Sequence, residues 1–284
     1  MSNNLYIVDS QIHIWDVDHP EAIPRHGDKP FRLGDALAEM DAAGVDRAVI
    51  VPPYWVQFDN SYALSAAQKH PHRFGVMSRF DITNSTNPDR LIKEFKTTGM
   101  LGFRLLFNTP IMHPFLCGTL GDWFWSAAAD AKIPVMLHAP GMLDGVKRVA
   151  SLFPTLTLAI DHMGVGRAVR DDAAFTHLPE LLEISKLPNV SIKLSTLPIF
   201  SSDPYPYVNL HPYLKQLFDS YGPERLFWGS DLSRLPCSYR VCINLFLNEL
   251  PWLSRQDIKA IMGQSLCSWL DWPASKPLNS SLTL

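Results

Sequence analysis

Short apolar segments alternate with longer amphipathic segments along nearly the whole chain. The short segments have the length and apolar content of buried strands. The longer segments carry apolar residues at helical spacing, as in RLGDALAEMDAA at 32–43, where Gly44 follows as a helix stop. Strands are predicted within residues 6–16 and at 47–51, 74–80, 101–107, 134–138, 156–162, 190–194 and 226–231. Helices are predicted at 32–43, 60–70, 88–98, 120–131, 143–152, 178–187, 213–221, 239–249 and 255–269.

This order of elements predicts the fold class. Eight strand–helix units in succession, with no shift in composition, are typical of a closed parallel (β/α)8 barrel, or TIM barrel. A single such domain over residues 1–284 agrees with the chain length, since these barrels have about 250 residues. A doubly wound open sheet is the rival, but it normally has a glycine-rich phosphate turn after its first strand. The segment DSQIHIWD contains no glycine.

Composition narrows the class of partner. Charged residues make up 19% of the chain and the net charge is −3, so no basic surface for nucleic acid is expected. The four cysteines lack metal-binding or redox spacing, which predicts reduced thiols in a cytoplasmic protein. No apolar run has membrane-spanning length, and no signal segment is predicted. We therefore expect a small-molecule ligand and no membrane partner. The aromatic residues in the loops are compatible with a homodimer.

The first predicted strand, YIVDSQIHIWD, carries unusual polar residues. Alternation with period two places Asp9, Gln11 and His13 on one face. Buried polar side chains need partners, so this face either serves function or contains a core histidine satisfied by a backbone carbonyl. For this segment alone the two interpretations have equal weight.

Polar residues also end several other predicted strands. In parallel barrels the active site lies at the carboxyl ends of the strands. One histidine at a strand end is commonly structural, whereas a polar end on strand after strand indicates a functional rim. Asp161 precedes His162 directly, so in a regular strand it should face away from it. The rim residues predicted in this way are His13, Arg79, Arg104, His138, His162, Lys193 and Asp231.

The segments DSQIHIW, LHAPG, IDHMG and WGSDLSR, together with GFRLLF and the closing IMGQSLCSWLDW, resemble the amidohydrolase superfamily. Within it the chain is similar to the amidohydrolase-related branch that includes lactonases for 2-pyrone-4,6-dicarboxylate and for sugar lactones. The resemblance covers nearly the whole chain and implies a barrel hydrolase. The family's first strand usually reads Asp-x-His-x-His, with both histidines able to bind a divalent metal. Here Gln11 takes the place of the first histidine.

This departure bears on the cofactor. A glutamine carbonyl is a weak ligand for zinc compared with imidazole. His13, Asp231 and either His138 or His162 would still supply three ligands to one zinc ion, and His13, His138 and Asp231 are the set we select. Nearby arginines would repel that cation and favour an anionic substrate. We therefore favour a site without a metal, which the resemblance permits because the lactonase branch includes members that hydrolyse without one.

The first hypothesis is a hydrolase that opens a small lactone bearing one or two carboxylates. Asp231 would act as general base toward water. His13, His138 and His162 would hydrogen-bond the carbonyl oxygen as charge develops on it. Guanidinium groups match carboxylates in bidentate geometry. Substrate contacts are assigned to Arg79, Arg104, Gln11, Tyr54, Lys193 and Arg234, whereas Arg167 is expected to be a surface residue.

Two other classes of function stay open at this point. A metal-dependent decarboxylase or lyase of an aromatic or muconate-like acid occurs in a sister branch, and Gln11 argues against it. A non-catalytic binder on a decayed barrel would explain the missing ligand histidine, but the joint presence of His13, His138, His162 and Asp231 argues against that. The loops at 108–117 and 196–207 are too irregular to identify a substrate or pathway.

Overall fold

A computed structural model of the chain describes residues 5–18, 29–84 and 86–273, and the other residues of the predicted domain lie outside the described part. Eight strands alternate with helices, as predicted. The strands are β1 Val8–Ile12, β2 Arg47–Ile50, β3 Phe74–Arg79, β4 Met100–Leu106, β5 Val135–His138, β6 Leu158–Ile160, β7 Val190–Ser195 and β8 Leu226–Gly229. The helices are α1 Leu33–Ala43, α2 Ser61–Lys69, α3 Pro88–Phe95, α4 His113–Leu116, α5 Asp122–Asp130, α6 Leu143–Leu152, α7 Leu178–Ile184, α8 His211–Tyr221, α9 Tyr239–Asn248, α10 Arg255–Lys259 and α11 Ser265–Trp269.

The strands form one sheet in sequence order from β1 to β8, and every neighbouring pair in that order is parallel. The sheet curls until β8 lies beside β1, where the amide of Asp231 donates to the carbonyl of Gln11 at 3.0 Å. Gly229 permits this approach, because a side chain there would collide with the hydroxyl of Ser10. The prediction of a single-domain TIM barrel is confirmed.

Buried residues form two apolar layers. The larger layer packs the outer face of the strands against the helices and includes Phe103, Ile192 and Trp228. A smaller cluster fills the lower interior of the barrel, with Met136 and Phe227 among its members. Because the barrel is packed below, a ligand can enter among the described residues above that cluster, toward the carboxyl ends of the strands.

A β-bulge changes the face that Asp9 occupies. Asp9 pairs with Ala48 and Ile12 pairs with Ile50, so β1 uses one more residue than β2 between these two positions. Both partners belong to the outer layer, so Asp9 faces outward while Gln11 faces the barrel interior. The prediction that Asp9 shares a face with Gln11 and His13 is wrong, because strict alternation fails at the bulge.

Asp9 instead joins the barrel seam to the outer helices. Its carboxylate accepts hydrogen bonds from the amides of Gln11 and Ser230, each at 2.9 Å, and from the Tyr239 hydroxyl on α9 at 2.5 Å. The Ser230 hydroxyl donates to the same group. Burial raises the pKa of Asp9 to about 6, although these hydrogen bonds oppose the rise.

Two further predictions from the sequence concern the state of the cysteines and membrane-spanning segments. None of the four cysteines, which all lie in the described part of the chain, forms a disulfide bond. Among the described residues, none of the helices combines the length and the apolar character needed to cross a membrane.

Candidate active site

A cavity of about 190 Å³ opens at the carboxyl ends of the strands. Eight of the ten residues that the sequence proposes for the site line its wall, whereas Arg79 and Lys193 do not. The eight are Gln11, His13, Tyr54, Arg104, His138, His162, Asp231 and Arg234. The loop after β7 adds Thr196, Ile199 and Phe200, and the loop after β6 adds Arg167.

Asp231 and His13 face each other across the seam between β8 and β1. Asp231 is 2% exposed, and its Oδ1 lies 3.1 Å from Nε2 of His13. The other ring nitrogen of His13, Nδ1, lies 2.6 Å from the carbonyl oxygen of Val51. Burial alone would raise the pKa of Asp231, but the hydrogen bond and charge of His13, with His162 and Arg234, hold it well below the usual range. Asp231 is therefore an anion in this cavity.

His162 is held by two hydroxyl groups of the next strand and its loop. Its Nδ1 lies 2.8 Å from Oγ of Ser195 and 2.8 Å from Oγ1 of Thr196. Thr196 also donates to Oδ2 of Asp231 at 3.2 Å. Burial lowers the pKa of His162 to about 4, so the ring is neutral near pH 7.

A charged cluster lies directly beneath the cavity. Lys193 is fully buried, and its ammonium group lies 2.8 Å from Oδ1 of Asp161 and donates to Oε1 of Gln11. Arg104 donates through Nε to Oδ2 of Asp161 at 2.7 Å. Burial alone would raise the pKa of Asp161, but Lys193 and Arg104 hold it far below the usual range. Asp161 is therefore a carboxylate with a cation on each oxygen.

The relation between Asp161 and His162 differs from that expected in a regular strand. Ala159 belongs to the inner cluster and Ile160 to the outer layer, so Asp161 follows the alternation into the barrel. β6 ends at Ile160, and His162 lies in a tight turn with a φ of 52°. This turn brings the His162 ring to the same region as Asp161, so the two side chains do not face away from each other.

His138 occupies the end of β5, beside His162. The two rings make an edge contact at 5.7 Å between centroids. Nδ1 of His138 is buried and has no hydrogen-bond partner. Burial, with Arg104 and His162 nearby, lowers the pKa of His138 to about 2, so this imidazole is neutral.

Arginines surround the cavity at different depths. Arg234 lies 3.7 Å from Asp231 through Nε, and Arg167 stacks over the ring of Tyr54 at 5.3 Å. Arg79 lies outside the wall, over the ring of Phe58, and its Nε and Nη1 have no hydrogen-bond partner. Burial and the nearby Arg104 lower the pKa of Arg79 to about 10, so it remains charged near pH 7.

A second groove adjoins the cavity. His138 and Arg167 belong to both walls, so the two spaces are neighbours. The groove is otherwise lined by the segment after β4 and the start of the loop after β5, namely Asn108, Thr109, Pro110, His113, Pro114, Pro140 and Met142. A ligand in the cavity therefore has room to extend in this direction.

The donor set for a metal ion differs from the one proposed from sequence. Among the described residues, His138, Asp161 and His162 bring three candidate ligand atoms within 4.8 Å of one another, whereas the sequence proposes His13, His138 and Asp231. Neutral imidazoles and a carboxylate are suitable ligands. However, Asp161 already pairs with Lys193 and Arg104, and these cations would repel a metal ion bound there. The residues therefore fit a divalent cation poorly.

The sequence misplaces one residue of the site and misses another. It directs Asp161 away from His162 and gives no prediction for Thr196, whereas Arg167 is exposed as expected and also lines the mouth of the cavity. The signal for Thr196 was its position directly after a strand, like His162 and Asp231. The run after it, with Pro198 and Pro204, hid that signal.

Comparisons with known proteins agree with this architecture. The family model described as Amidohydrolase matches residues 8–273. A 4-sulfomuconolactone hydrolase of Rhizobium radiobacter is 28% identical over 233 residues, covering 78% of this chain and 74% of that protein. An L-fucono-1,5-lactonase of Burkholderia ambifaria is 25% identical over 245 residues, covering 80% of this chain and 81% of that protein.

A solved structure is also similar. It is a crystal structure of an amidohydrolase from Burkholderia multivorans with bound zinc, and its TM-score is 0.79. The alignment covers 94% of this chain and 100% of that chain at 19% sequence identity. At this identity the likeness supports the fold alone.

Proposed function

The chain belongs to the amidohydrolase family and is an enzyme of the hydrolase class, and from that premise we propose that it opens a small, anionic lactone without a metal ion. The observation that carries the proposal is Asp231, a buried carboxylate on the cavity wall that is held between His13 and Thr196. The lactone class is supported by the two relatives, which are named as hydrolases of a muconolactone and of a sugar lactone.

In this proposal Asp231 is the general base toward water. Its lowered pKa keeps it anionic in the empty site, but a low pKa also makes a weak base. An anionic substrate in the same cavity would raise that pKa, because like charges disfavour ionisation. Asp231 would then accept a proton from water as the water oxygen attacks the lactone carbonyl, and it would return that proton to the ring oxygen as the C–O bond breaks. His13 would stabilise the new charge distribution through its contact at 3.1 Å.

We assign different roles to His138 and His162. His138 is neutral and lines the cavity beside His162, so we assign to it a hydrogen bond to the carbonyl oxygen as negative charge develops. The contacts of His162 are directed to Ser195, Thr196 and Gln11. We therefore assign His162 to holding Asp231 and Gln11 in place, and not to direct contact with the oxygen.

The charge of the wall favours an anion. Three arginines, Arg104, Arg167 and Arg234, line the cavity, and Asp231 is the single carboxylate among the described residues of its wall. Because His138 and His162 are neutral, the formal charge of the wall is positive. We assign the substrate's acidic group to Arg167 and Arg234 near the mouth, with Arg104 deeper. Arg79 lies outside the wall, so we assign it no contact with the substrate, and Tyr54 would support Arg167 through their ring contact.

The alternative function is a metal-dependent lyase, and the observation in its favour is the cluster of possible metal ligands formed by His138, Asp161 and His162. It would require Asp161 to exchange Lys193 and Arg104 for a metal ion. Lys193 also holds Oε1 of Gln11, so its amide nitrogen, and not its oxygen, faces the two histidines at 3.4 Å. An amide nitrogen is not a metal ligand at neutral pH, which supports the metal-free mechanism.

A panel of small lactones tests the proposal. Each compound that bears a carboxylate or sulfonate is matched with its neutral ester or with the analogue that lacks the acidic group. Ring opening is measured at pH 7 as the release of protons. We expect turnover of anionic members and weak or absent turnover of the neutral ones. Equal turnover of both sets would contradict the anionic assignment. Release of carbon dioxide from aromatic acids, without any lactone opening, would favour the lyase.

A further inference from the structure

Three consecutive strands end in the same unusual backbone conformation. His162, Thr196 and Asp231 follow β6, β7 and β8, and their φ angles are 52°, 68° and 55°. Left-handed backbone is uncommon in residues other than glycine, and it is most unfavourable for a β-branched residue such as threonine. Strain of this kind persists where the surrounding structure enforces it and is concentrated at functional sites.

The side chains of these three residues are joined to one another. Oγ1 of Thr196 lies 2.8 Å from Nδ1 of His162 and donates to Oδ2 of Asp231 at 3.2 Å. The direct distance from Nε2 of His162 to that same oxygen is 4.0 Å. The threonine hydroxyl is therefore the shorter connection between the histidine and the carboxylate.

The hydrogen bonds that connect Lys193 to Asp231 can each be given a direction, starting from the buried side chain of Lys193. Lys193 can only donate, so Oε1 of Gln11 accepts and its amide nitrogen donates. That nitrogen lies 3.4 Å from Nε2 of His162, which accepts from it, so Nδ1 is the ring nitrogen that faces the hydroxyls of Ser195 and Thr196 as donor. The Thr196 hydroxyl accepts there and donates its own proton to Asp231.

We propose that Thr196 is a positioning residue, which fixes the Asp231 carboxylate toward the cavity through a hydroxyl oriented by His162. This inference rests on the proposed function of Asp231 as the base. Oδ2 is held by Thr196, which leaves Oδ1, 3.1 Å from Nε2 of His13, as the oxygen that would accept the proton. The backbone strain at Thr196 is the cost of placing the hydroxyl between the two groups.

Ser195 provides a matched comparison within the same structure. Its hydroxyl also lies 2.8 Å from Nδ1 of His162, and it has the regular conformation of β7. The structure gives Ser195 no contact with Asp231. Loss of the Ser195 hydroxyl thus removes one hydrogen bond from His162 and leaves the link to Asp231 intact.

The experiment uses Thr196→Ser, Thr196→Val, Thr196→Ala, Thr196→Gly and Ser195→Ala, with kcat and KM measured on a lactone that the native enzyme turns over. We expect Thr196→Val to lower kcat about tenfold or more, with KM nearly unchanged, because one buried hydrogen bond to a charged group is lost. Thr196→Ser should restore kcat to near the native value. Ser195→Ala should cost clearly less than Thr196→Val. Native kcat in Thr196→Val, or equal losses in Thr196→Val and Ser195→Ala, would overturn the proposal.

Thermal unfolding gives a second measurement that needs no substrate. Thr196→Gly removes both the hydroxyl and the strain, since glycine adopts positive φ readily. We expect its Tm to exceed that of Thr196→Ala while its kcat stays as low as that of Thr196→Val. A Tm no higher than that of Thr196→Ala would contradict the enforced strain on which the proposal depends. If the native protein opens no lactone, the proposed function fails, and this comparison still judges the strain at Thr196.

Discussion

The Nε2 atom of His13 lies 3.1 Å from Oδ1 of Asp231, while Nδ1 of the same ring lies 2.6 Å from the carbonyl oxygen of Val51. A carbonyl oxygen only accepts hydrogen bonds, so Nδ1 carries a proton. Nε2 is therefore the ring nitrogen that faces Oδ1, and the two contacts fix the histidine ring and the carboxylate against each other on the cavity wall.

This pair predicts the effect of removing the charge at Asp231. Asp231→Asn should lower kcat by about 10²- to 10⁴-fold, the range of a general base, while the far-ultraviolet circular dichroism stays native. The amide can still accept the hydrogen bond from Thr196, so the fold should be kept. The measurement is lactone opening at pH 7 with the native enzyme as reference. Turnover within threefold of native would remove Asp231 from the mechanism.

The buried ion pair beneath the site predicts a large loss of stability. Lys193→Met leaves Asp161 in a dry environment with Arg104 as its remaining cationic partner. We expect the free energy of unfolding in urea to fall by about 3 kcal/mol or more, as for removal of one member of a buried pair. Adding Asp161→Asn should recover part of this loss, because the uncompensated charge is then removed.

Lys215→Met is the matched control for that measurement. Lys215 pairs with Asp219 on the surface of α8 at 2.7 Å, and both side chains are largely exposed. Exposed pairs contribute about 0 to 1 kcal/mol, so this variant should have nearly native stability. Equal losses in Lys193→Met and Lys215→Met would mean that burial of the Lys193–Asp161 pair has no special energetic weight.

The sequence predicts the barrel well because period and element order are local properties. The eight strands appear within a few residues of the predicted positions, and His13, His138 and Asp231 lie at the ends of β1, β5 and β8. The predictions of side-chain direction that are wrong fall where the two-residue alternation of a strand is interrupted. The bulge in β1 puts Asp9 and Gln11 on opposite faces, and the turn after β6 brings His162 to the same side as Asp161.

Depth along a strand is the other property that the sequence does not reveal. Lys193 and Ser195 alternate correctly on the inner face of β7, yet Lys193 lies below the cavity and Thr196 reaches it. Arg79 pairs with Arg104 in the sheet, but Arg104 alone of the two lines the cavity. Tilt and curvature of the barrel set these depths, and both arise from packing among distant strands.

The raised pKa of Asp9 predicts how stability changes with pH. Its folded pKa of about 6 exceeds the usual value of 3.8, so the folded state binds this proton more tightly than the unfolded state. The stability from this group is present below pH 3.8 and is lost as pH rises through 6, by up to about 3 kcal/mol. Asp9→Asn does not titrate, so its free energy of unfolding relative to native should improve between pH 4 and 7. A difference that is constant with pH would contradict a raised pKa.

The arginines at the mouth predict a selective change in binding. Arg167→Gln and Arg234→Gln should each raise KM for an anionic lactone about tenfold, because a charge-assisted contact is lost. KM for the matched neutral lactone should change little, and added salt should weaken binding of the anionic compound in the native enzyme. Arg170→Gln is the control, since Arg170 is exposed and lies outside the cavity wall. Parallel changes with both lactones would assign these arginines to the shape of the mouth and not to charge recognition.

The two cationic side chains paired with Asp161 predict how the enzyme responds to chelators. Lys193 and Arg104 each bond one oxygen of that carboxylate, and Lys193 also turns the amide nitrogen of Gln11 toward His13 and His162. A metal ion would have to displace these contacts, which would leave Lys193 and Arg104 buried without their carboxylate partner. We therefore expect protein purified without chelator to contain well below one equivalent of zinc or manganese per chain by elemental analysis. Dialysis against a strong chelator should leave kcat within about twofold of native, a change smaller than one hydrogen bond is worth. One tightly held metal per chain, with activity that a chelator removes and zinc restores, would instead establish the cluster of His138, Asp161 and His162 as a metal site.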